Sequence, residues 1–242
     1  VVIARTADKE IKGKMRRQYT AFIVENEWEG VDRSHRCHFM GLKALYAGIL
    51  KLDNVKVPVD NVLFEEGRGL KLALTTLNAG RLTLPSATIG GAKWCLREAR
   101  LFANERAQWG GPIGEHEAIA HKLAFIASHT FAIEAMTFYT AAMVDRKDVD
   151  IRVEAAMCKM FGSESLWRII NETLQIRSGR GFETASSLEA RGERGVAVER
   201  MLRDARINMI FEGTSEIMRL FLAREALGPH LARMKTLSRA PA

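Results

Sequence analysis

The sequence has few cysteines, no long apolar run and no visible signal peptide. Its three cysteines, Cys37, Cys95 and Cys158, lie far apart and show neither CxxC nor Cys/His metal spacing. They therefore predict free thiols in a reducing compartment rather than a disulfide framework or a metal site. No apolar stretch approaches the roughly 20 residues that a membrane-spanning helix needs. These absences argue against a disulfide-rich secreted protein and against a membrane span.

Positive charge is in modest surplus. The 242 residues include 36 Lys or Arg and 29 Asp or Glu, which gives a formal net charge of +7. Such a surplus suits an anionic partner, which could be nucleic acid, a membrane surface or a phosphate-bearing cofactor. Because the charge is spread along the chain and forms no tail or stripe, the pattern argues against nucleic acid.

The sequence pattern of residues 1–65 is typical of short β-strands. Residues 21–25 form an apolar run between polar segments, and residues 49–58 alternate before a turn at Pro58. So few strands do not close a sheet comfortably alone. Residues 1–6 resemble the second half of a β-strand, and the sequence does not begin with methionine. We therefore expect a fragment whose missing strands lie upstream and which carries part of a β-barrel or sandwich domain.

From Leu70 onward the apolar residues fall at helical spacing and predict an up-and-down four-helix bundle. The fold class is mainly α with a β segment, in three parts: residues 1–65, a helical domain at 66–230 and a polar tail at 231–242. Gly80 and Pro85 predict a late start or a bend in the first helix, and Gly228 with Pro229 should end the last one. The predicted helices cover residues 70–107, 116–145, 151–176, 198–204 and 214–227, with a glycine-bearing loop at 177–195.

Glu212 is a carboxylate in an apolar setting, with Met209, Ile210 and Phe211 before it and Gly213 after it. A desolvated carboxylate is a candidate general base, and a glycine beside it lets a substrate approach the backbone closely. The competing interpretation is a helix start with a solvated glutamate, capped by the residues that follow. The local pattern alone favours that second interpretation.

Two further segments could bind a nucleotide. Residues 104–110 combine Arg106, Gln108 and Trp109, which suit phosphate contact and stacking on an adenine ring. Residues 174–182 hold two glycines and two arginines, a pattern that permits close approach to an anion. Each segment taken alone is more typical of an ordinary helix end.

Five separated motifs together closely resemble the C-terminal half of acyl-CoA dehydrogenases. Residues 52–63 resemble that family's junction between its middle β domain and its C-terminal helical domain. Agreement at five places outweighs the ordinary interpretation of each motif. The motifs are the runs Asn-Ala-Gly-Arg at 78–81, Glu-Arg-Ala-Gln-Trp-Gly at 105–110, Gln-Ile-Arg-Ser-Gly-Arg-Gly-Phe at 175–182, the run at 198–207, and Phe-Glu-Gly-Thr-Ser-Glu-Ile at 211–217.

The resemblance implies an FAD-dependent α,β-desaturation of an acyl-CoA thioester, in which Glu212 abstracts the α-proton and FAD accepts the β-hydride. Electrons would pass to an electron-transferring flavoprotein or a similar acceptor. The family implies a homodimer or homotetramer. The expected location is the bacterial cytoplasm, with the mitochondrial matrix as the less favoured alternative. We expect no metal, no nucleic-acid partner and no membrane span. Since the family's N-terminal domain would precede residue 1, we expect the isolated chain to hold half of the FAD site and to be inactive alone.

The same resemblance assigns roles to particular positions. Some relatives carry the base at the position of Gly80, which has no side chain, so Glu212 is the matching candidate. The implied acyl-CoA contacts are Asn78, Arg81, Gly213 and Arg224. The implied FAD contacts are Arg106, Gln108 and Trp109 toward a neighbouring subunit, with His116, Glu117, Gln175, Gly179, Thr214 and Glu216.

This sequence departs from the family pattern at several of those positions. Glu216 stands where many relatives have Gln or Asn, and Trp109 stands where Phe is usual. Arg177 and Ser178 replace an apolar residue and a glycine, and residues 184–195 are longer than in short-chain members. The alternatives are an acyl-CoA oxidase, which shares the base and the FAD, and a helical interaction module without flavin.

Overall fold

The computed structural model describes residues 1–146 and 149–237, and at 78, 229, 232 and 235–237 it describes the backbone alone. The chain forms two compact units, Val1–Ala79 and Gly80–Ala242.

The first unit contains short antiparallel strands. Strands β1, β4 and β7 form a three-stranded sheet in the order β1-β4-β7, while β2 pairs with β3 and β5 pairs with β6. The register places Ala21, which is fully buried, opposite Ile3 and Leu63. The strands are β1 Val2–Arg5, β2 Lys9–Ile11, β3 Lys14–Arg16, β4 Tyr19–Phe22, β5 Val31–Arg36, β6 Gly48–Leu52 and β7 Val62–Leu63.

Long helices dominate the rest of the chain, so the predicted helical bundle after a β segment is confirmed. Helix α3 packs against α2, α6 and α7. Short 3-10 turns occupy Val59–Asn61, Ile113–Glu115 and Arg206–Met209. The helices and the small hairpin between α1 and α2 are α1 Gly69–Glu105, β8 Ala107–Gln108, β9 Gly111–Pro112, α2 Glu117–Asp145, α3 Arg152–Arg177, α4 Gly179–Phe182, α5 Ala185–Ala190, α6 Val198–Ala205 and α7 Ser215–Leu237.

The core of the second unit is a layer of small and β-branched side chains. The stripe on α1 recurs at helical spacing, and small residues there let neighbouring helices approach closely. At Gly162 of α3, an added Cβ would lie only 3.0 Å from Thr88 Oγ1 of α1 and 3.6 Å from Ile133 of α2. The buried stripe of α1 consists of Ile89, Ala92, Cys95, Ala99 and Ala103.

Of the two alternatives expected for α1, the late start does not occur, because the helix begins at Gly69 and runs to Glu105. Two other expectations were wrong. Helix α7 continues through Gly228 and residue 229 to Leu237, because a proline bends a helix without necessarily ending it. The segment predicted as a loop at 177–195 contains α4 and α5, which are too short to show a period. Residues 231–237 of the predicted tail are thus helical, and residues 238–242 lie outside the described part of the chain.

Within residues 1–146 and 149–237, no helix has the length and apolar character to cross a membrane. The same ranges contain no group of three or more His, Cys, Asp or Glu side chains arranged to hold a metal ion. Cys37, Cys95 and Cys158 are free thiols, and burial raises the pKa of Cys95 to about 12.

Candidate active site

Glu212 lies in a tight turn between the 3-10 turn Arg206–Met209 and helix α7. Its φ angle is +54°, a left-handed conformation that is uncommon for a residue other than glycine, and Gly213 follows with φ +98°. Such conformations persist only where surrounding contacts impose them, and they cluster at functional sites. A Cβ at position 213 would also lie 2.5 Å from Cε of the buried Met218, so the end of that side chain would have to shift.

The carboxylate of Glu212 rests against Gly80 of helix α1. A Cβ added at Gly80 would lie 2.7 Å from each of the two carboxylate oxygens, so the space above this glycine is occupied by the carboxylate itself. Oε2 of Glu212 is buried and has no hydrogen-bond partner among the described residues. A buried carboxylate oxygen that lacks a donor is unusual, because burial normally requires one.

Two cations contact the backbone of this turn. Arg81 Nε donates to the carbonyl oxygen of Glu212 at 3.4 Å, and Lys159 Nζ donates to that of Gly213 at 2.6 Å. Lys159 is fully buried in α3, and burial lowers its pKa, while the charge of Glu212 acts in the opposite direction. The sequence reasoning missed Lys159. The feature of the sequence that could have indicated it is a single lysine within residues 155–162, which otherwise lack charged side chains.

The start of α7 adds two of the predicted FAD contacts. Thr214 Oγ1 accepts a hydrogen bond from the backbone of Ile217 at 3.3 Å and so caps the helix. The exposed Glu216 has a lowered pKa, because its own backbone N–H and the Thr214 hydroxyl stabilise the charged form. Thr214 and Glu216 line a small depression of about 180 Å³ together with Arg206 and Arg219. Two arginines thus stand beside the carboxylate that departs from the family pattern.

A larger groove of about 650 Å³ lies at the other end of α3. It brings together residues from the end of α1, the β8–β9 hairpin, the start of α2 and the α3–α4 junction. Phe102, Arg177, Arg180, Glu183 and Arg191 also line it, so the groove has more arginines than carboxylates. The predicted FAD contacts among its lining residues are Arg106, Gln108, Trp109, His116, Gln175 and Gly179.

The β8–β9 hairpin shapes one wall of this groove. Trp109 and Gly110 form its two-residue turn, both with positive φ, as a tight hairpin of this kind requires. The indole is 87% exposed, and its ring packs edge-on against His116 at 5.9 Å between centroids. His116 Nε2 also donates to the carbonyl of Gln108 at 3.0 Å, which ties the hairpin to the start of α2. The large aromatic is therefore free to stack on a ligand while its backbone is fixed.

Arg177 supplies a buried cation at the groove. Its side chain is 6% exposed and lies over the Phe102 ring, with 5.0 Å between the guanidinium carbon and the ring centroid. Burial lowers its pKa, and its Nε has no hydrogen-bond partner among the described residues. An unsatisfied buried donor of this kind is suited to an anionic ligand.

Ser178 holds a conformation that favours glycine, with φ +54° and ψ −136°. Replacing it with glycine should therefore relieve strain of about 1 kcal/mol and raise the melting temperature of the folded protein by about 2–4 °C. Calorimetry measures this change. Ser178→Ala is the matched control, since it removes the hydroxyl but keeps the Cβ and should bring no such gain. If both variants raise the melting temperature equally, the destabilisation comes from the Ser178 hydroxyl and not from the backbone conformation.

The long segment 184–195 braces the groove through ion pairs. Arg180 pairs with Glu193 through Nη2–Oε1 at 3.0 Å, and Arg191 pairs with Glu183 at 2.9 Å. Arg194 reaches the fully buried Glu98 of α1 at 2.6 Å. These contacts fasten the α3–α4 junction to α1, a role that the sequence alone did not reveal.

Two predicted site residues, Glu117 and Arg224, lie outside both the Glu212 turn and the residues that line the two depressions. Among the described residues that line the groove, Glu117 is absent, although it directly follows His116. Arg224 is exposed on α7, about 14 Å along the helix from its first residue at 1.5 Å per residue. The side chain of Asn78 lies outside the described residues. Arg81, in contrast, contacts the Glu212 turn directly.

The fold and the site define a class: a helical domain that combines a partly desolvated carboxylate with a cationic groove suited to a nucleotide. A family profile described as acyl-CoA dehydrogenase, C-terminal domain, matches residues 67–227. The chain therefore belongs to the acyl-CoA dehydrogenase family, which is a family of oxidoreductases, and the sequence resemblance is confirmed.

Individual relatives agree with that placement. The probable acyl-CoA dehydrogenase FadE10 of Mycobacterium tuberculosis is 52% identical over 212 residues, covering 88% of this chain and 33% of that protein. The mitochondrial very long-chain specific acyl-CoA dehydrogenase of Bos taurus is 38% identical over 211 residues, covering 87% and 31%. An acyl-CoA dehydrogenase of Bacillus anthracis, solved with FAD, is 32% identical with a TM-score of 0.78, covering 94% of this chain and 40% of that one. The chain thus spans about a third of the length of these curated relatives.

Proposed function

We propose that this chain belongs to an enzyme that desaturates an acyl-CoA thioester between Cα and Cβ, with Glu212 as the base. The observation that carries the proposal is the Glu212 carboxylate itself. It is held against Gly80 by a strained turn, and its buried Oε2 has no partner among the described residues. A carboxylate oxygen that no protein group occupies is available to accept a proton from a bound substrate.

The residues of the turn account for the proton transfer. The α-hydrogen of a thioester is too weakly acidic for an unassisted carboxylate, so the base must be desolvated and aimed. Glu212 would take the proton at Oε2, while Arg81 and Gly213 lie beside the place where the thioester end would sit. Asn78 and Arg224 are proposed to contact the rest of the acyl-CoA.

The groove residues support FAD as the cofactor. An exposed indole, an unsatisfied buried arginine and neighbouring arginines suit an adenine ring and a diphosphate. Gln108, Gln175 and Gly179 would add amide and backbone contacts, with Glu117 beside His116. When bound, FAD supplies the acceptor for the β-hydrogen as hydride.

Most of the predicted FAD contacts fall into two groups within the second unit: those lining the larger groove, and Thr214 with Glu216 at the small depression. Glu117 belongs to neither group. Arg106, Gln108 and Trp109 match family positions that reach the FAD of a neighbouring subunit. We therefore propose a homodimer or homotetramer in which one FAD is shared by two copies, and an electron-transferring flavoprotein or similar acceptor for the electrons.

The test is anaerobic addition of long-, medium- and short-chain acyl-CoAs to the purified full-length protein, with loss of the oxidised flavin absorbance as the readout. Bleaching by at least one acyl-CoA is the expected result, followed by reoxidation with an electron-transfer protein rather than rapidly with air. Fast reoxidation by air would identify an oxidase. Protein that releases no flavin on denaturation would contradict the proposal and favour a helical interaction module.

A further inference from the structure

We propose that Lys159 is a positioning residue for Glu212: its buried ammonium holds the carbonyl of Gly213 and thereby fixes the turn that sets the carboxylate over Gly80. The inference rests on the proposed function for the reaction that Glu212 performs. It concerns a helix, α3, that the motifs around Glu212 do not include.

The burial of Lys159 requires an explanation. Its side chain is fully buried among small neighbours on α3, including Ala155, Ala156 and Cys158. Removing an ammonium group from water is costly unless it gains a hydrogen bond and an opposite charge. The structure supplies one of each: the Gly213 carbonyl at 2.6 Å, and the negative charge of Glu212, which opposes the effect of burial.

The two consecutive carbonyls of the turn are each contacted by a cation from a different helix. Arg81 on α1 contacts the carbonyl of Glu212, and Lys159 on α3 contacts that of Gly213. The Lys159 bond is the shorter of the two by 0.8 Å, the difference between 3.4 and 2.6 Å. Glu212 has a left-handed φ that a non-glycine residue does not adopt freely, and these two bonds are among the contacts that stabilise it.

Several charged groups act on the buried ammonium of Lys159. They are Glu212 in the turn, Arg81 on α1, Glu164 on its own helix and Glu216 on α7, and Glu212 has the largest effect of the four. Glu164 is already paired with Arg219 at 2.6 Å. The turn therefore stabilises the ammonium of Lys159 both through the Gly213 carbonyl and through the charge of Glu212.

Two substitutions separate the hydrogen bond from the charge. Lys159→Met removes both at similar volume, whereas Lys159→Gln keeps a donor for the Gly213 carbonyl without the charge. In the FAD-loaded full-length protein, Lys159→Met should lower kcat by about 10-fold to 100-fold, since small misplacements of a reacting group cost this much, with a smaller change in KM. Lys159→Gln should recover part of kcat.

A second readout does not depend on turnover. Amide hydrogen exchange over residues 206–214, measured by mass spectrometry, should be faster in Lys159→Met than in the wild type. The reason is that the turn loses the hydrogen bond from Lys159 to the Gly213 carbonyl. Lys93→Met is the matched control: this lysine is exposed and pairs with Glu134 on the surface. Lys93→Met should change neither the exchange over residues 206–214 nor kcat.

Each outcome decides the inference. Folded Lys159→Met protein with wild-type kcat and exchange would overturn it, as would failure of both Lys159 variants to fold, which would make Lys159 a structural requirement only. If Lys159→Met alone fails to fold, Lys159→Gln decides: a lowered kcat supports the inference, and wild-type kcat with wild-type exchange over residues 206–214 overturns it. A wild type that does not reduce its flavin would contradict the proposed function instead, and the exchange result would then decide the role of Lys159.

Discussion

Replacing Glu212 with Gln slows substrate-dependent flavin reduction by about 100-fold to 10,000-fold, the range that general-base catalysis typically contributes. The amide has nearly the same shape as the carboxylate but cannot accept a proton at neutral pH. It should still fit against Gly80, so the fold and the bound flavin should be retained. Anaerobic stopped-flow mixing with an acyl-CoA that reduces the wild type measures the rate.

Glu134→Gln is the control for this substitution. It makes the same chemical change on α2, where the carboxylate pairs with Lys93 at the surface. We expect its rate of flavin reduction to match the wild type. If Glu212→Gln reduces its flavin as fast as Glu134→Gln does, the base is another group.

Gly80→Ala has the second largest expected effect, and it should separate activity from stability. The new Cβ would occupy a point 2.7 Å from both carboxylate oxygens of Glu212, so the carboxylate must move. We expect kcat to fall by about 10-fold to 100-fold, because a shift of about 1 Å in a reacting group costs this much. Stability should not fall, since alanine is favoured over glycine in a helix by about 1 kcal/mol. Steady-state kinetics and calorimetry on the same preparation give both values.

Gly90 offers a matched control within the same helix. A Cβ there meets nothing within 4 Å. Gly90→Ala should therefore raise the melting temperature without changing kcat. Full activity in Gly80→Ala would show that the carboxylate does not need the space above Gly80.

The helices could be predicted because their apolar residues repeat at helical spacing over many turns. Helix α1 was expected at 70–107 and lies at Gly69–Glu105, and α3 was expected at 151–176 and lies at Arg152–Arg177. The end of α7 was wrong because Gly228 was taken as a stop, although Leu227, Leu231 and Met234 continue a helical repeat. Helices α4 and α5, at four and six residues, are too short to show any repeat.

The site was harder to predict because it depends on contacts between distant segments. The local sequence around Glu212 favours a helix cap, and the capping residue is indeed Thr214. What sets Glu212 apart is the packing of its carboxylate against Gly80, the positive φ of the turn and the hydrogen bond from Lys159 to the adjacent Gly213 carbonyl, all of which depend on the folded structure. The family resemblance supplied the residue, and the packing of α1 and α3 against the turn supplies the physical reason.

The most direct test of Glu212 as the base follows the proton itself. An acyl-CoA analogue with oxygen or sulfur in place of the β-carbon has no β-hydrogen to transfer, so only the first step can occur. Incubated with the FAD-loaded full-length protein in D2O, it should gain deuterium at Cα, as measured by mass spectrometry. We predict incorporation with the wild type and with Glu134→Gln and none above background with Glu212→Gln. Incorporation by Glu212→Gln at the wild-type rate would contradict the assignment.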